Sequence, residues 1–381
     1  MRHPGFGFLT VGLTAAILAA AGMTDAGAFE GNRPPEQRRP VRLGIAGLSH
    51  DHVNGILGRT AGSGVEIVGI FEPDTNLASR MALNYGLPAR LFYADLEKML
   101  ETADPEAVAA FGPISEHVRV VEACAPRGIH VMVEKPLAFR LDHARTMERL
   151  AVRHRIQLLT NYETTWYASV HAAYRIVRER GAIGEIRKIV AHDGHRGPRE
   201  IGCSPEFLAW LTDPEGNGGG ALIDFGCYGA NLITWLMKGE APLSVTAVTQ
   251  TIKPEIYPKV DDEATVVLAY PHAQGIIQAS WNWPVGRKDL EIYGQRGTLF
   301  IPDRGTLRIR PAESEPERTE TPEPRQSPFD DPFAYLAAVV RGEIIVEDAD
   351  LSALANNMTV VRILDAARRS AAAGRTVRLD E

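Results

Sequence analysis

A lysine closing a short apolar strand, and a phenol one helical turn beyond a carboxylate, are the groups in this sequence best suited to moving protons. Lys135 ends the run Val131-Met132-Val133-Glu134-Lys135-Pro136-Leu137, which reads as a short buried strand between Gly128 and Pro136. A lysine at a strand's carboxyl end stands at the rim of the sheet, where ligands bind in open α/β folds. Partial burial there lowers an amine's pKa toward the range in which it both gives and takes a proton. The plain alternative is a solvated lysine in a strand-to-helix turn. The second group lies in Gly218-Gly219-Gly220-Ala221-Leu222-Ile223-Asp224-Phe225-Gly226-Cys227-Tyr228-Gly229-Ala230-Asn231. The glycines read as a flexible approach to a helix over 221–236, on which Asp224, Tyr228 and Asn231 fall four and then three apart on one face. A carboxylate, a phenol and an amide on one stripe suit hydroxyl recognition with proton relay; otherwise the stripe faces solvent.

A dinucleotide site requires glycine where the backbone turns against a pyrophosphate, a helix N-terminus aimed at it, and an acid near the ribose. The loop Gly47-Leu48-Ser49-His50-Asp51-His52 keeps only the first glycine of G-x-G-x-x-G. Ser49 is small enough for close approach, and His50 or His52 either bonds a phosphate oxygen or caps and packs the helix. A metal at these two histidines is not expected, because no carboxylate or cysteine set completes it in the linear sequence. Glu72, closing the next strand, would accept hydrogen bonds from both ribose hydroxyls and repel a 2′-phosphate, favouring NAD over NADP. Further on, Asp193-Gly194-His195-Arg196-Gly197-Pro198-Arg199 is a polar loop long enough to border a pocket. His192, His195 and Arg196 there either hold substrate hydroxyls or a carboxylate, or are solvated.

The elements that must position these groups follow from periodicity. Strands at 41–46, 65–71, 107–111 and 131–133 alternate with helices at 53–57, 75–85 and 115–125, which predicts a parallel, doubly wound, Rossmann-like sheet. From about Leu158 the pattern changes. After a helix at 170–180, β-rich runs at 187–192, 243–251, 264–269, 275–281 and 289–293 predict an open, mostly antiparallel sheet. Trp281 and Trp283 are core or dimer contact, residues 311–328 a solvated Pro/Glu-rich loop, and helices 332–340 and 351–372 close the chain.

A length of 381 residues with 45% hydrophobic content suits two domains. A net charge of −7 leaves no basic footprint for nucleic acid, and Cys124, Cys203 and Cys227 are too scattered for a disulfide framework or zinc site. Arg2 and His3, an apolar run from Phe6 to Gly22, and Ala26-Gly27-Ala28 have the layout of a secretory signal peptide over 1–28. Its cleavage leaves no stable membrane span, and an uncleaved anchor is the alternative. No Arg-Arg pair precedes the apolar run, so a twin-arginine route is not indicated. Residues 29–40 form a flexible lead-in, 41–157 a nucleotide-binding domain, and 158–381 a substrate and dimerisation domain.

Gly47, Glu72-Pro73-Asp74, Gly112-Pro113 with His117, and Glu134-Lys135-Pro136 resemble, in order and spacing, the Gfo/Idh/MocA oxidoreductases. Asn161-Tyr162 and Gly181 to Ile186 resemble that family's crossover into its second sheet. The resemblance implies that Gly47, Ser49, His50, His52, Glu72, Gly112, Pro113, His117, Glu134 and Lys135 bind NAD, and that Tyr162, His192, His195, Arg196 and Asn231 bind a sugar or polyol. It also implies that the C-terminal helices pack back on the first domain and that the open sheet joins a homodimer or homotetramer. Where many members carry D-x-G-x-H-x-x-D, this chain has Tyr228 for the histidine and Asn231 for the second aspartate. That departure resembles the glucose–fructose oxidoreductase and dimeric dihydrodiol/xylose dehydrogenase branch. It implies that Lys135 and Tyr228 carry the proton chemistry, the lysine lowering the phenol's pKa, with Asp224 orienting a substrate hydroxyl. Export to the periplasm, the destination this leader implies, makes free NAD scarce, so either the cofactor is held and recycled or the signal is unused. Two rivals stay open: a glycoside hydrolase that oxidises its sugar transiently with bound NAD, and a non-catalytic exported sugar- or nucleotide-binding protein.

Overall fold

The computed structural model describes residues 39–59 and 64–379, so the expected signal peptide at 1–28 lies outside the described residues. Six strands form a wholly parallel sheet: β1 (Val41–Ala46), β2 (Val65–Phe71), β3 (Phe92–Tyr93), β4 (Ala107–Ala110), β5 (His130–Glu134) and β6 (Leu158–Asn161). Their order is β3-β2-β1-β4-β5-β6. β1, β4 and β5 are almost wholly buried, as strands covered by helices on both faces must be. The order reverses between β1 and β4, where a crevice opens beyond the strand ends. Leu158, expected to open the second domain, instead begins β6, which pairs with β5.

The second sheet contains β7 (Ile186–Gly194), β8 (Ser244–Gln250), β9 (Glu263–Ala269), β10 (Gln274–Ser280), β11 (Arg287–Gly294), β12 (Thr298–Asp303), β13 (Thr306–Arg310), β14 (Arg318–Glu320) and β15 (Val377–Arg378). It runs β14-β13-β12-β11-β7-β10-β9-β8-β15. All its pairings are antiparallel except β10 on β7. β7 runs two residues past its expected end, so Asp193 and Gly194 belong to a strand and not to a loop. β14 falls inside the stretch expected to be solvated loop.

Helices from the second half cover one face of this sheet. Gly226–Leu236 is buried along its whole length, and a Cβ at Gly229 would meet Ile277 Cγ2 at 2.7 Å and Ala191 Cβ at 3.1 Å, so the helix lies directly on β7 and β10. The helix Pro332–Val340 packs Phe333 and Leu336 into the core around β1, while Leu354–Ala373 buries Val360, Ile363 and Leu364 against the second half.

Candidate active site

The Glu-Lys-Pro turn leaves the carboxyl end of β5 and meets residues of the second half. The glycine run that approaches them is close-packed and not flexible: a Cβ at Gly220 would stand 1.7 Å from the Asp261 carbonyl oxygen. Asp261 also accepts hydrogen bonds from the amides of Gly220 (2.9 Å), Leu222 (2.7 Å) and Ala221 (3.0 Å). These bonds fix the short helix Ala221–Asp224. The expected continuous helix breaks at Phe225, before Gly226–Leu236 begins.

Lys135 Nζ then lies 2.5 Å from Asp224 Oδ1 and 3.1 Å from the Asp224 carbonyl oxygen, with both side chains almost fully buried. Trp281 Nε1 donates to Asp224 Oδ2 at 3.0 Å. Both oxygens of Asp224 are thus engaged: it holds the lysine, and the expected role of orienting a substrate hydroxyl gives way to that. Trp281, weighed above as a dimer contact, is fully buried core.

Lys135 Nζ is 5.3 Å from the centre of the Tyr228 ring, so the amine of one half and the phenol of the other meet. Their electrostatics differ from the expectation. Burial opposes the lysine's charge, but the Asp224 carboxylate outweighs it and raises the amine above its ordinary value. Burial, with the carboxylates of Asp193 and Glu163, pushes the Tyr228 phenol well above its usual range. The lysine is therefore a fixed cation, and the phenol keeps its proton.

A second cation faces the same ring, one that the linear sequence did not bring forward. Lys288 Nζ stands 4.1 Å from the Tyr228 ring centre, 2.7 Å from Glu163 Oε2 and 3.8 Å from Asp193 Oδ2. Lys288 and Asp193 are direct cross-strand partners on β11 and β7, and His192 pairs with Asp289 in the next register position. Successive side chains point to opposite faces of a sheet. Asp193 therefore shares the face of the Tyr228 helix, while the expected substrate residue His192 lies on the other, its Nδ1 3.1 Å from Asp289 Oδ2.

Asn231 is no substrate residue either. Its Nδ2 donates to the Leu351 carbonyl at 2.8 Å and its side chain is fully buried, so it ties its helix to the turn before Leu354–Ala373. Asn231→Ala should cost about 1–3 kcal/mol, the penalty of a buried group left unpaired, with the substrate KM unchanged; thermal unfolding beside steady-state kinetics checks this. Arg196 is exposed and holds Lys253 Nζ through its carbonyl oxygen. His195 stays near the Lys135–Asp224 pair, with its Nδ1 accepting from the Gly197 amide at 2.9 Å and burial keeping it below its ordinary value. Tyr162 is buried edge-on against Tyr228, ring centres 5.4 Å apart.

On the nucleotide side, Gly47 has φ +85°, and a Cβ there would meet Gly112 N at 2.7 Å; nothing lies within 4 Å of a Cβ at Gly112 itself. The loops after β1 and β4 touch at Gly47 and open at Gly112 and the half-buried Pro113, the kind of cradle a dinucleotide's pyrophosphate needs. Glu72 closes β2, and its carboxylate accepts from the amides of Leu48 (2.8 Å) and Asp74 (2.9 Å). It braces the loop and keeps further lone pairs for hydroxyl donors. These residues fit NAD, whose nicotinamide would supply the acceptor or donor of a hydride.

The helix Pro205–Leu211 roofs the glycine loop, which sequence reasoning did not foresee. Trp210 Nε1 donates to Ser49 Oγ at 3.1 Å, and Phe207 and Trp210 pack on the His50 ring. Glu134 reaches His52 Nδ1 at 2.9 Å and lies 4.0 Å from His50 Nε2, so a carboxylate does complete the histidine pair in space. The His52 amide donates to His50 Nδ1 at 3.1 Å, which assigns the ring hydrogen to Nε2. That makes His50 a donor and not a metal ligand; burial keeps it neutral. Asn161 Nδ2 donates to the other Glu134 oxygen at 2.7 Å. Burial alone would raise Glu134, but these partners hold it below its ordinary value, as a carboxylate. His117 sits behind the turn: Nδ1 lies 3.1 Å from the Leu137 carbonyl oxygen, and burial brings its pKa to about 4. It positions the Glu-Lys-Pro turn from beneath.

A Rossmann sheet with a glycine cradle, joined to an open-sheet half whose short helix Ala221–Asp224 brings a carboxylate to the Glu-Lys-Pro lysine, defines an NAD-binding oxidoreductase. The chain belongs to the Gfo/Idh/MocA family: residues 41–162 match the oxidoreductase family, NAD-binding Rossmann fold, and residues 170–300 match the GFO/IDH/MocA C-terminal domain. Among its relatives, trans-1,2-dihydrobenzene-1,2-diol dehydrogenase of Xenopus laevis is 24% identical over 313 residues, which is 79% of this chain and 88% of that protein. The fold is similar to aldose-aldose oxidoreductase from Caulobacter crescentus complexed with glycerol, with TM-score 0.74, 22% identity, and coverage of 89% of this chain and 100% of that one. It is also similar to levoglucosan dehydrogenase in complex with NADH and levoglucosan, with TM-score 0.74, 20% identity, and coverage of 90% and 100%.

Proposed function

We propose that the protein is a nicotinamide-dependent dehydrogenase acting on a CH–OH group of a sugar or polyol. One observation carries this reading: a buried lysine locked to Asp224 and a buried tyrosine that meets it at 5.3 Å, beyond the carboxyl end of β5. The relatives' named substrates, a cyclic diol and a levoglucosan, favour a polyhydroxylated ring.

In this reading Tyr228 exchanges the proton of the reacting oxygen. In the resting protein burial keeps that proton on the phenol, so Tyr228 is poised to donate to a carbonyl oxygen. Lys135 at 5.3 Å and Lys288 at 4.1 Å stabilise the phenolate left behind. Glu72 at the end of β2 favours NAD over NADP, by its charge.

Two further parts of the proposal concern the setting of the reaction. The sheet face away from the helices exposes Val248 on β8 and would pair two subunits. Export through residues 1–28 rests on the sequence pattern alone; among the described residues no helix is long and apolar enough to cross a membrane.

The test is to mix protein, NAD and a panel of aldoses, polyols and cyclic diols and follow reduced nicotinamide. Tyr228→Phe should lower turnover about a hundredfold, the scale of a lost acid/base group, with NAD affinity unchanged. Equal turnover in the variant would remove the phenol from the reaction.

A further inference from the structure

The phenol of Tyr228 needs somewhere to send its proton when an alcohol is to be oxidised, and Lys135, a cation locked to Asp224, cannot accept one. Asp193 stands beside Lys288, the second cation at the ring. It is 4% exposed, and its Oδ2 has no hydrogen-bond partner among the described residues. Tyr228, Asp193 and Lys288 line a common cavity of about 20 Å³, room for one water molecule. Lys288 at 3.8 Å balances the charge without bonding this oxygen, and a buried carboxylate oxygen with no hydrogen bond costs free energy unless a donor occupies the space before it. A single water in the cavity would supply that partner and could carry a proton.

We propose that Asp193 is the proton acceptor behind Tyr228, reached through a water in this cavity and steered by Lys288. This rests on the oxidoreductase reading given above. In the step, the Tyr228 O–H bond breaks, its electron pair stays on the phenolate, and the proton passes through the water to form an O–H bond on Asp193. The phenolate then takes the hydroxyl proton of the substrate. Carbonyl reduction runs the same transfers backward.

Several charged groups bear on Asp193. Lys288 faces it from β11, Lys135 and Asp224 from the paired ends of the two halves, Glu163 from the segment after β6, and Tyr228 and Cys227 from the helix above. Tyr167, bonded to Glu163, also lies within its field. Burial first, with Asp224 and Glu163 adding to it, outweighs the two lysines and brings the carboxyl up to about 8. A group titrating there takes up and gives back protons near neutral pH.

The sign of the pH dependence follows. Asp193 must be ionised to accept, so alcohol oxidation should rise with pH through about 8, and carbonyl reduction should fall over the same interval. Asp193→Asn, similar in size but unable to carry the proton, should lower oxidation about a hundredfold, abolish that limb, and leave NAD affinity unchanged. Lys288→Met removes a charge that lowers Asp193, so its limb should move to higher pH, an effect that a purely structural lysine would not produce. Infrared spectroscopy of the unliganded protein gives a readout without turnover: a protonated-carboxyl band should vanish through about pH 8 and be missing from Asp193→Asn. Should that variant fail to fold, the Lys288→Met limb and the wild-type band still decide. An unaltered limb in both variants, with alcohol oxidised normally, removes the relay alone. If the band titrates yet no alcohol is oxidised, the oxidoreductase reading falls and the relay with it.

Discussion

Lys135→Ala should lower turnover by at least about a hundredfold while NAD affinity changes little. The amine does not titrate near neutral pH; it is a buried cation 2.5 Å from Asp224 Oδ1, raised above its ordinary value by that carboxylate. Its removal has a second effect. Asp224 would be left as a buried carboxylate with Trp281 Nε1 as its remaining side-chain donor among the described residues, and breaking one side of a buried ion pair typically costs about 3–5 kcal/mol. Low activity in the single variant is therefore ambiguous by itself. The double variant Lys135→Ala with Asp224→Asn separates the causes, because an amide keeps the tryptophan bond and carries no charge. It should recover most of the lost stability and none of the lost turnover. Recovery of turnover would mean that Lys135 acts only by balancing Asp224.

Gly47→Ala should be nearly as damaging, on the cofactor side. A left-handed backbone such as φ +85° costs a non-glycine residue about 1–2 kcal/mol. The new Cβ would also meet backbone at Gly112, 2.7 Å from its nitrogen. No rotamer change relieves a backbone contact, so the loops after β1 and β4 must part. We expect a total cost of about 2–4 kcal/mol and NAD binding weakened at least about tenfold. Gly112→Ala is the informative partner: with nothing within 4 Å of its Cβ, it should leave unfolding unchanged yet weaken NAD binding by filling the cradle. Thermal unfolding and fluorescence titration with NAD measure both. Undiminished NAD affinity in both variants would show that the dinucleotide does not lie over these loops.

Much of this architecture is legible in the sequence because it is written in local patterns. The parallel half follows from short apolar runs alternating with helical periods, and the helix Thr75–Tyr85 starts and stops where expected, between the Asp74 cap and the left-handed Gly86. Lys135 and Tyr228 were legible through their motifs. What escaped was set by contacts distant in sequence. Asp193 and Lys288 become neighbours only through the register of β7 and β11, and a one-residue difference in facing exchanges Asp193 for His192. Noticing that Asp193 has the parity of Ile189 and Ala191 would have found it. The stripe drawn through Asn231 failed because the helix breaks at Phe225 and is buried all round, leaving no exposed face for a stripe to mark. The direction of the Lys135 and Tyr228 shifts was also out of reach. Burial was foreseeable, but it took Asp224 at 2.5 Å from the lysine to reverse its effect on the amine.

The central claim is hydride transfer between a carbinol carbon and the nicotinamide, with Tyr228 and Lys135 serving the oxygen. Its most direct test uses a sugar or polyol deuterated at the carbinol carbons, incubated with the protein and NAD, followed by mass spectrometry of the recovered dinucleotide. Deuterium should appear in the nicotinamide ring, and at most at about a hundredth of that rate with Tyr228→Phe or Lys135→Ala. Substrate converted with all its deuterium retained and none in the dinucleotide would contradict it.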